Sequence, residues 1–311
     1  MPKDDIVVAR MAPARRSNLS KEIAITDIGA IARDVLVQAN EATVMGVTSR
    51  GMFLLLHSGW VVFLSHDIYH GPLTLNYHGD SNHLNLLKNG QIARLSPGRI
   101  AFPEAGLLVH TGQAVSWEAP STPQGVLLPE KRQEQLRLVA RQLLDRQQTS
   151  PISVLLPFLL GWVETCEAQD KTPLPILVNL QRSLQGRQSS GIAQGLEALL
   201  GMGSGLTPSG DDVAIGFLLA LRRWGYVLAP DLDVGLLGGE ILPQAYRRTT
   251  NLSANLIDCA LRGQANERLI LALDGILSGN ADPSACAATL AGWGNTSGLD
   301  AFLGMALAMG T

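Results

Sequence analysis

The sequence predicts an α+β chain: an N-terminal antiparallel β domain, barrel- or sandwich-like, over residues 1–120, and a mainly helical domain over residues 121–311. Three observations carry this. Short apolar runs separated by turn residues fill the first third of the chain. A cluster of prolines then ends that pattern. Apolar residues at helical spacing follow from there to the end.

In the β part, "MFLLLHSGWVVFLS" is two apolar runs meeting at Ser58-Gly59, which reads as a two-residue hairpin turn whose glycine takes a positive φ. "HGPLTLNYHGD" holds a further short strand between turn residues. "GLLVHTGQAVSWE" reads as a second hairpin, Leu107 to His110 and Ala114 to Glu118 around Thr111-Gly112-Gln113. The pattern stops at "EAPSTPQGVLLPEKRQEQ", residues 118–135, where three prolines and a glycine intervene. "PEKRQEQLRLVARQLLDRQQ" then starts a helix with a polar face. "SGIAQGLEALLG", "DDVAIGFLLALRRWG", "TTNLSANLIDCALRG", "NERLILALDGILSG" and "GLDAFLGMALAMG" continue at helical period, several of them closed by glycine.

Bulk properties exclude several classes. The chain has 311 residues, 46% of them hydrophobic, enough to bury a substantial core. A net charge of −3 gives neither a nucleic-acid footprint nor a polybasic membrane anchor. "MPKDDIVVARMAPARRSNLS" lacks an apolar leader region, and "ISVLLPFLLGWV" is 12 residues interrupted by Pro157, a core element rather than a span of roughly 20. Cys166, Cys259 and Cys286 are odd in number and widely spaced, which fits reduced thiols in a cytoplasmic protein.

The most informative stretch is "GMGSGLTPSGDD", residues 201–212, with four glycines in front of two aspartates and a long apolar helix. Alternating Gly201, Gly203 and Gly205 let successive amides turn toward one point, and a helix N-terminus follows, together an anion site. Thr207 and Ser209 add hydroxyls, and Gly210 completes the set. A tight helix–helix turn with close packing is the competing explanation. The stretch has no lysine, so it is not a phosphate loop, and no strand precedes it as a dinucleotide fingerprint requires.

The same stretch has an echo. "PSGDDVAIGFLLAL" and "TSGLDAFLGMALAM" share S-G-x-D-x-x-x-G-x-x-x-A at a constant offset of 88 residues, Ser209 to Ser297. Either the helices are a structural repeat, or a glycine- and alanine-rich composition matches by chance. S-G-x-D reads as a capping box, which gives Asp212 and Asp300 a structural job. Asp211 aligns with Leu299 and lacks that job. It gains from the helix dipole, or it faces a ligand directly or through a cation such as Mg²⁺, and the pattern does not choose.

Other candidates are weaker. All six histidines lie in the β domain and scatter over turns rather than at metal-ligand spacing. Thr249 and Ser253 stand four apart with Thr250 next door, either bonding back to the preceding helical turn or facing a site. Arg247 and Arg248 would meet an acidic ligand or form a solvated helix start.

"GxGLTPSGDD", "RRTTNLSANLI" and "GWGNTSGLDAFLG" together, with the earlier "GPLTLNY", resemble a bacterial family formerly catalogued only as a domain of unknown function. It includes the small subunit of the oxamate carbamoyltransferase of anaerobic allantoin breakdown. The similarity runs from about residue 45 to the end, and the glycine motif is its most specific part. The resemblance implies that oxalurate plus phosphate interconverts with oxamate plus carbamoyl phosphate. It also implies partner subunits, one similar to the acyl-CoA synthetase superfamily. Asn295 stands where the family expects an alanine-like residue, a difference that bears on ligand choice if the position lines the site. The candidate ligand-binding set is then Gly203, Gly205, Thr207, Ser209, Gly210, Asp212, Thr249, Thr250, Ser253, Asn295, Thr296, Ser297 and Gly298, with Asp211 as the candidate catalytic group. Two other functions compete with a carbamoyltransferase subunit. One is a non-catalytic accessory subunit. The other is a stand-alone Mg²⁺-dependent hydrolase using Asp211 and Asp212.

Overall fold

The structure is a computed structural model, and it describes residues 21–79, 84, 86–163 and 173–310. Residues 1–20, on which the expectation about a leader falls, and His83 and Cys166 lie outside the described residues.

The chain begins with β1 (Lys21–Ala24), β2 (Asp27–Gly29) and helix α1 (Ala30–Val37). Eight strands follow: β3 (Glu41–Thr48), β4 (Gly51–Leu56), β5 (Val61–Ser65), β6 (Thr74–Asn76), β7 (Ile92–Ser96), β8 (Arg99–Phe102), β9 (Leu107–His110) and β10 (Val115–Trp117). They form one sheet in the order β1-β9-β8-β7-β3-β4-β5-β6-β2-β10. Segments 21–29 and 107–117 run side by side, β1 parallel to β9 and β2 parallel to β10, joined by Ile25 N–H to His110 O and Val115 N–H to Thr26 O. Both ends of the strand order are pieces of those same two segments, so the sheet curls back on itself. It is mixed rather than purely antiparallel, since β5 and β6 are parallel as well.

The β4–β5 hairpin forms where the sequence puts it. Leu56 N–H bonds Trp60 O, which leaves His57, Ser58 and Gly59 as a three-residue loop, one longer than expected, with Gly59 at φ +86°. The second expected hairpin does not form: β9 and β10 are both strands, yet each pairs with a different piece of segment 21–29. Thr111 N–H bonds Gly98 O and turns the chain aside there, while β9 takes β8 as its hairpin partner. Helix α1 is an element that the strand pattern did not suggest.

The helical part holds α2 (Pro129–Arg146), a 3-10 turn (Ser153–Leu155), α3 (Leu156–Leu159), α4 (Leu174–Gln185), α5 (Ser189–Leu199), α6 (Ser209–Leu228), α7 (Val234–Arg248), α8 (Asn251–Leu261), α9 (Glu267–Ser278), α10 (Pro283–Ala291) and α11 (Ser297–Met309). Helix α6 is buried on every side from Ser209 to Leu221, and α11 from Gly298 to Ala308, so these two form the centre of the bundle. Among the described residues no helix is long and apolar enough to cross a membrane.

Two separate apolar clusters result, one inside the curled sheet and one around α6 and α11. Strand alternation sets the relation between them. Met52, Leu54 and Leu56 point into the β core, so Phe53 points outward, where it stacks on its register partner Phe63 at 4.3 Å. That outer face meets the helices: Val61 N–H donates to Asn255 Oδ1 at 2.8 Å. His70 accompanies it, 2.9 Å from Glu267 and stacked on Trp117.

Candidate functional site

Helices α6 and α11 pack in parallel, and their glycines are the reason they can. A Cβ on Gly216 would lie 1.9 Å from Ala301 O, and one on Gly304 would lie 2.0 Å from Val213 O. These contacts are reciprocal, linking position i to i + 85 in one case (216 to 301) and i + 91 in the other (213 to 304), either side of the 88-residue offset. The same reciprocity governs the polar groups at the N-termini. The Ser297 hydroxyl acts on the Asp212 carboxyl, and the Ser209 hydroxyl acts on that of Asp300. The echo is therefore a structural repeat, two helices related by a local two-fold with both N-termini at one end.

The capping box is not formed. Pro208 and Thr296 are the N-cap residues, and neither supplies a side-chain cap. Each serine sits one residue inside its helix, so each aspartate is carried past the capping position and reaches toward the neighbouring helix instead. Two parallel helices bring two N-terminal ends together, and the first turns carry acidic side chains there, Asp211 and Asp212 in α6 and Asp300 in α11. Burial pushes the Asp212 carboxyl well above the ordinary carboxylate range, against the pull of Ser297 and Thr207, and the charges of Asp300 and Asp211 raise it further. Burial raises Asp300 too, opposed by the hydroxyls of Ser150, Ser153, Ser209 and Thr296. Among the described residues, one oxygen of each, Asp212 Oδ1 and Asp300 Oδ2, has no hydrogen-bond partner.

Asp211, expected either to serve the dipole or to face a ligand, is wholly buried and takes part in a junction. Its Oδ1 accepts from Gly201 N–H at 2.8 Å and its Oδ2 from the Thr249 hydroxyl. Burial raises its pKa, and the donors from Thr249, Gly201 and Ser253 pull it back. Thr249 ends α7 and Thr250 caps α8, accepting from Ser253 N–H at 3.1 Å. Thr250 also donates to Leu206 O at 2.7 Å and so tethers the glycine loop. Arg247 and Arg248 end α7 rather than begin a helix; Arg248 pairs with Glu197 at 3.0 Å.

A cavity of about 730 Å³ lies between the two halves of the molecule. Four segments singled out in the sequence line it: Gly205, Leu206 and Thr207 from the glycine loop, Gly71 to Thr74 from "GPLTLNY", Leu252 and Leu256 from α8, and Trp293 to Ser297 from the α10–α11 loop. Of the candidate residues, Gly205, Thr207, Asn295, Thr296 and Ser297 line it. Gly203, Ser209, Gly210, Asp211, Asp212, Thr249, Thr250, Ser253 and Gly298 stand behind or beside its wall. The amide of Gly210 is already used by Met202 O at 2.8 Å, so the first turn of α6 does not offer it. The loop before it does offer donors: among the described residues, no amide from Gly203 to Thr207, or from Gly294 to Ser297, donates to a protein group. Thr207 and Ser297 hydroxyls, 3.4 Å apart, join the two loops.

Several lining groups escaped the sequence reading. Arg268 is buried in the first turn of α9, bonded by one nitrogen to both oxygens of Asp67 at 2.9 and 2.8 Å and stacked 3.9 Å over Tyr69. The signal was present: an arginine at a core position of an apolar-periodic helix needs a buried partner. Phe53 and Phe63 add an apolar part to its lining. Among the described residues no three His, Cys, Asp or Glu side chains are placed to hold a metal ion. Cys259 and Cys286 are free and buried, which pushes both thiols up, Cys286 to about 11.

Residues 199–309 match the family model of oxamate carbamoyltransferase subunit AllH. This is the family that the motifs resemble. The matched segment runs from the end of α5 through α11 and so contains both members of the helix repeat and both cavity-lining loops. No curated protein and no solved structure matches the chain.

Proposed function

We propose that this chain is a subunit of a carbamoyltransferase-type complex, that the cavity between its halves is a ligand site, and that oxalurate and phosphate, or a related carbamoyl compound, react there. The observation that carries the reading is convergence: four sequence segments far apart in the chain line one cavity, and the AllH-matched part supplies both loops with spare amides. In the reaction a phosphate oxygen bonds to the carbamoyl carbon, the carbon–nitrogen bond to oxamate breaks, and the departing nitrogen takes up the proton that phosphate gives up. Negative charge builds on the carbonyl oxygen meanwhile. Fixed amide donors stabilise such charge without reorganising, and two loops held by Thr250 and by the Thr207–Ser297 contact suit that task. In this reading Asp211 and Asp212 position the loops from behind and do not touch substrate. That placement favours the transferase over a hydrolase built on these two carboxylates.

We further propose that the protein works in a cytoplasmic complex with other subunits and that its halves are separate domains, residues 1–120 and 121–311. The two disjoint apolar clusters support the division. The experiment is reconstitution with partner subunits encoded beside it, following carbamoyl phosphate formed from oxalurate and phosphate. The rate should require this chain and collapse when a bulky side chain fills the cavity, as in Leu252→Trp. Full activity without this chain, or with the cavity filled, would sink the proposal.

A further inference from the structure

We infer that Arg50 is the group that recognises an anion in this cavity, a carboxylate or a phosphate. The inference rests on the reading of the cavity as a ligand site. The charged side chains lining it, among the described residues, are Arg50, Asp67 and Arg268. Arg268 and Asp67 neutralise one another. Arg50 has no carboxylate within ion-pair distance among the described residues, so the cavity carries one uncompensated positive charge.

The turn that presents Arg50 is held on both sides. Thr48 and Gly51 are paired across it, His66 Nε2 lies 2.6 Å from Ser49 O, and His66 N–H donates to Arg50 O at 3.2 Å. Across the cleft, Arg50 Nη1 donates to Gly292 O at 2.5 Å, at the head of the loop whose amides from Gly294 to Ser297 are spare. That bond uses one of five guanidinium donors and fixes a side chain that is otherwise exposed, so its ordering cost is met before any ligand arrives. A planar guanidinium held beside free amides offers a carboxylate or phosphate two parallel bonds, which a point charge would not. Arg268 is buried and its charge is already balanced by Asp67, so it adds no net attraction for an anion.

The test is calorimetric titration of the whole chain with oxamate, inorganic phosphate, malonate and the neutral analogue oxamide. Arg50→Gln should weaken every anion at least tenfold and leave oxamide unchanged. Arg50→Lys should recover part of the loss, and Arg247→Gln should behave as wild type. If oxamate or phosphate binds Arg50→Gln as tightly as wild type, Arg50 is not the anchor, while the transferase reading survives. If malonate binds through Arg50 and oxamate and phosphate do not bind at all, the anchor stands and the proposed substrates fall. A wild-type chain that binds no anion overturns the inference.

Discussion

The repeat makes a sharp claim about two glycines. Gly216→Ala places a methyl 1.9 Å from Ala301 O, a backbone oxygen inside a helix, and Gly304→Ala places one 2.0 Å from Val213 O. Neither oxygen can swing away without breaking a helical hydrogen bond, so α6 and α11 must separate by more than 1 Å (roughly) to reach ordinary contact. Overpacking of side chains costs about 1–3 kcal/mol, and a backbone collision between two buried helices belongs at the upper end. Alanine's better helix propensity returns about 1 kcal/mol, leaving a net loss of about 2 kcal/mol. For a domain of this size that is a drop of roughly 4–8 °C in Tm. Gly239, in α7, has nothing within 4 Å of a Cβ, so Gly239→Ala should raise Tm by a few degrees (roughly) through propensity alone. Melting curves of the three variants decide the matter. If Gly216→Ala or Gly304→Ala melts with or above Gly239→Ala, the parallel packing is wrong.

Two further outcomes follow from the carboxyl cluster. Asp211→Asn keeps one acceptor for two donors, Gly201 N–H and the Thr249 hydroxyl, so it should cost about 1–2 kcal/mol in urea unfolding; an unchanged midpoint would mean that the junction carries no weight. Asp211, Asp212 and Asp300 all titrate above the usual value of 3.8 in the fold. The native state then holds their protons more tightly than the unfolded chain does, so their contribution to stability is full below that value and is lost as pH rises through the folded pKa. Each pH unit of elevation is worth about 1.4 kcal/mol. Tm should therefore fall less steeply between pH 4 and 7 (roughly) in Asp212→Asn than in wild type, and an identical slope would refute the burial argument.

Helices α2, α5, α6, α8, α9 and α11, the β-to-helix change near residue 120 and the β4–β5 hairpin were legible because each is written in local period or turn chemistry. The pairing of β9 and β10 was not, since Thr111-Gly112-Gln113 looks like a hairpin turn and only the distant segment 21–29 decides otherwise. The 88-residue echo was visible, but its use was hidden. Identical helices suggest identical caps, whereas the serines and aspartates work across the repeat, and nothing in a linear sequence distinguishes the two. Asp211 seemed unemployed for the same reason: its partners, Gly201 and Thr249, are donated by the ends of other helices. Arg50 and Asp67 lie on turns whose neighbours are set by how the two halves meet, which no local pattern encodes.

The repeat also explains why one cavity carries unlike chemistries. The α6 and α11 frames are equivalent, so the loops entering them, 200–208 and 292–296, arrive at the same place with the same backbone polarity. Their lengths differ, and so do their tips: the longer loop brings Gly203 and Gly205 at φ of +118° and +99°, the shorter brings Trp293 and Asn295. A symmetric frame with asymmetric tips gives two sets of spare donors in a fixed relation without making them interchangeable. The reaction proposed above joins two different oxygen-rich partners, one to be held and one to be polarised, and such an arrangement suits it, whereas a pair of identical loops would bind the same group twice. The β domain then breaks the remaining symmetry, because Arg50 hydrogen-bonds the shorter loop, through Gly292 O.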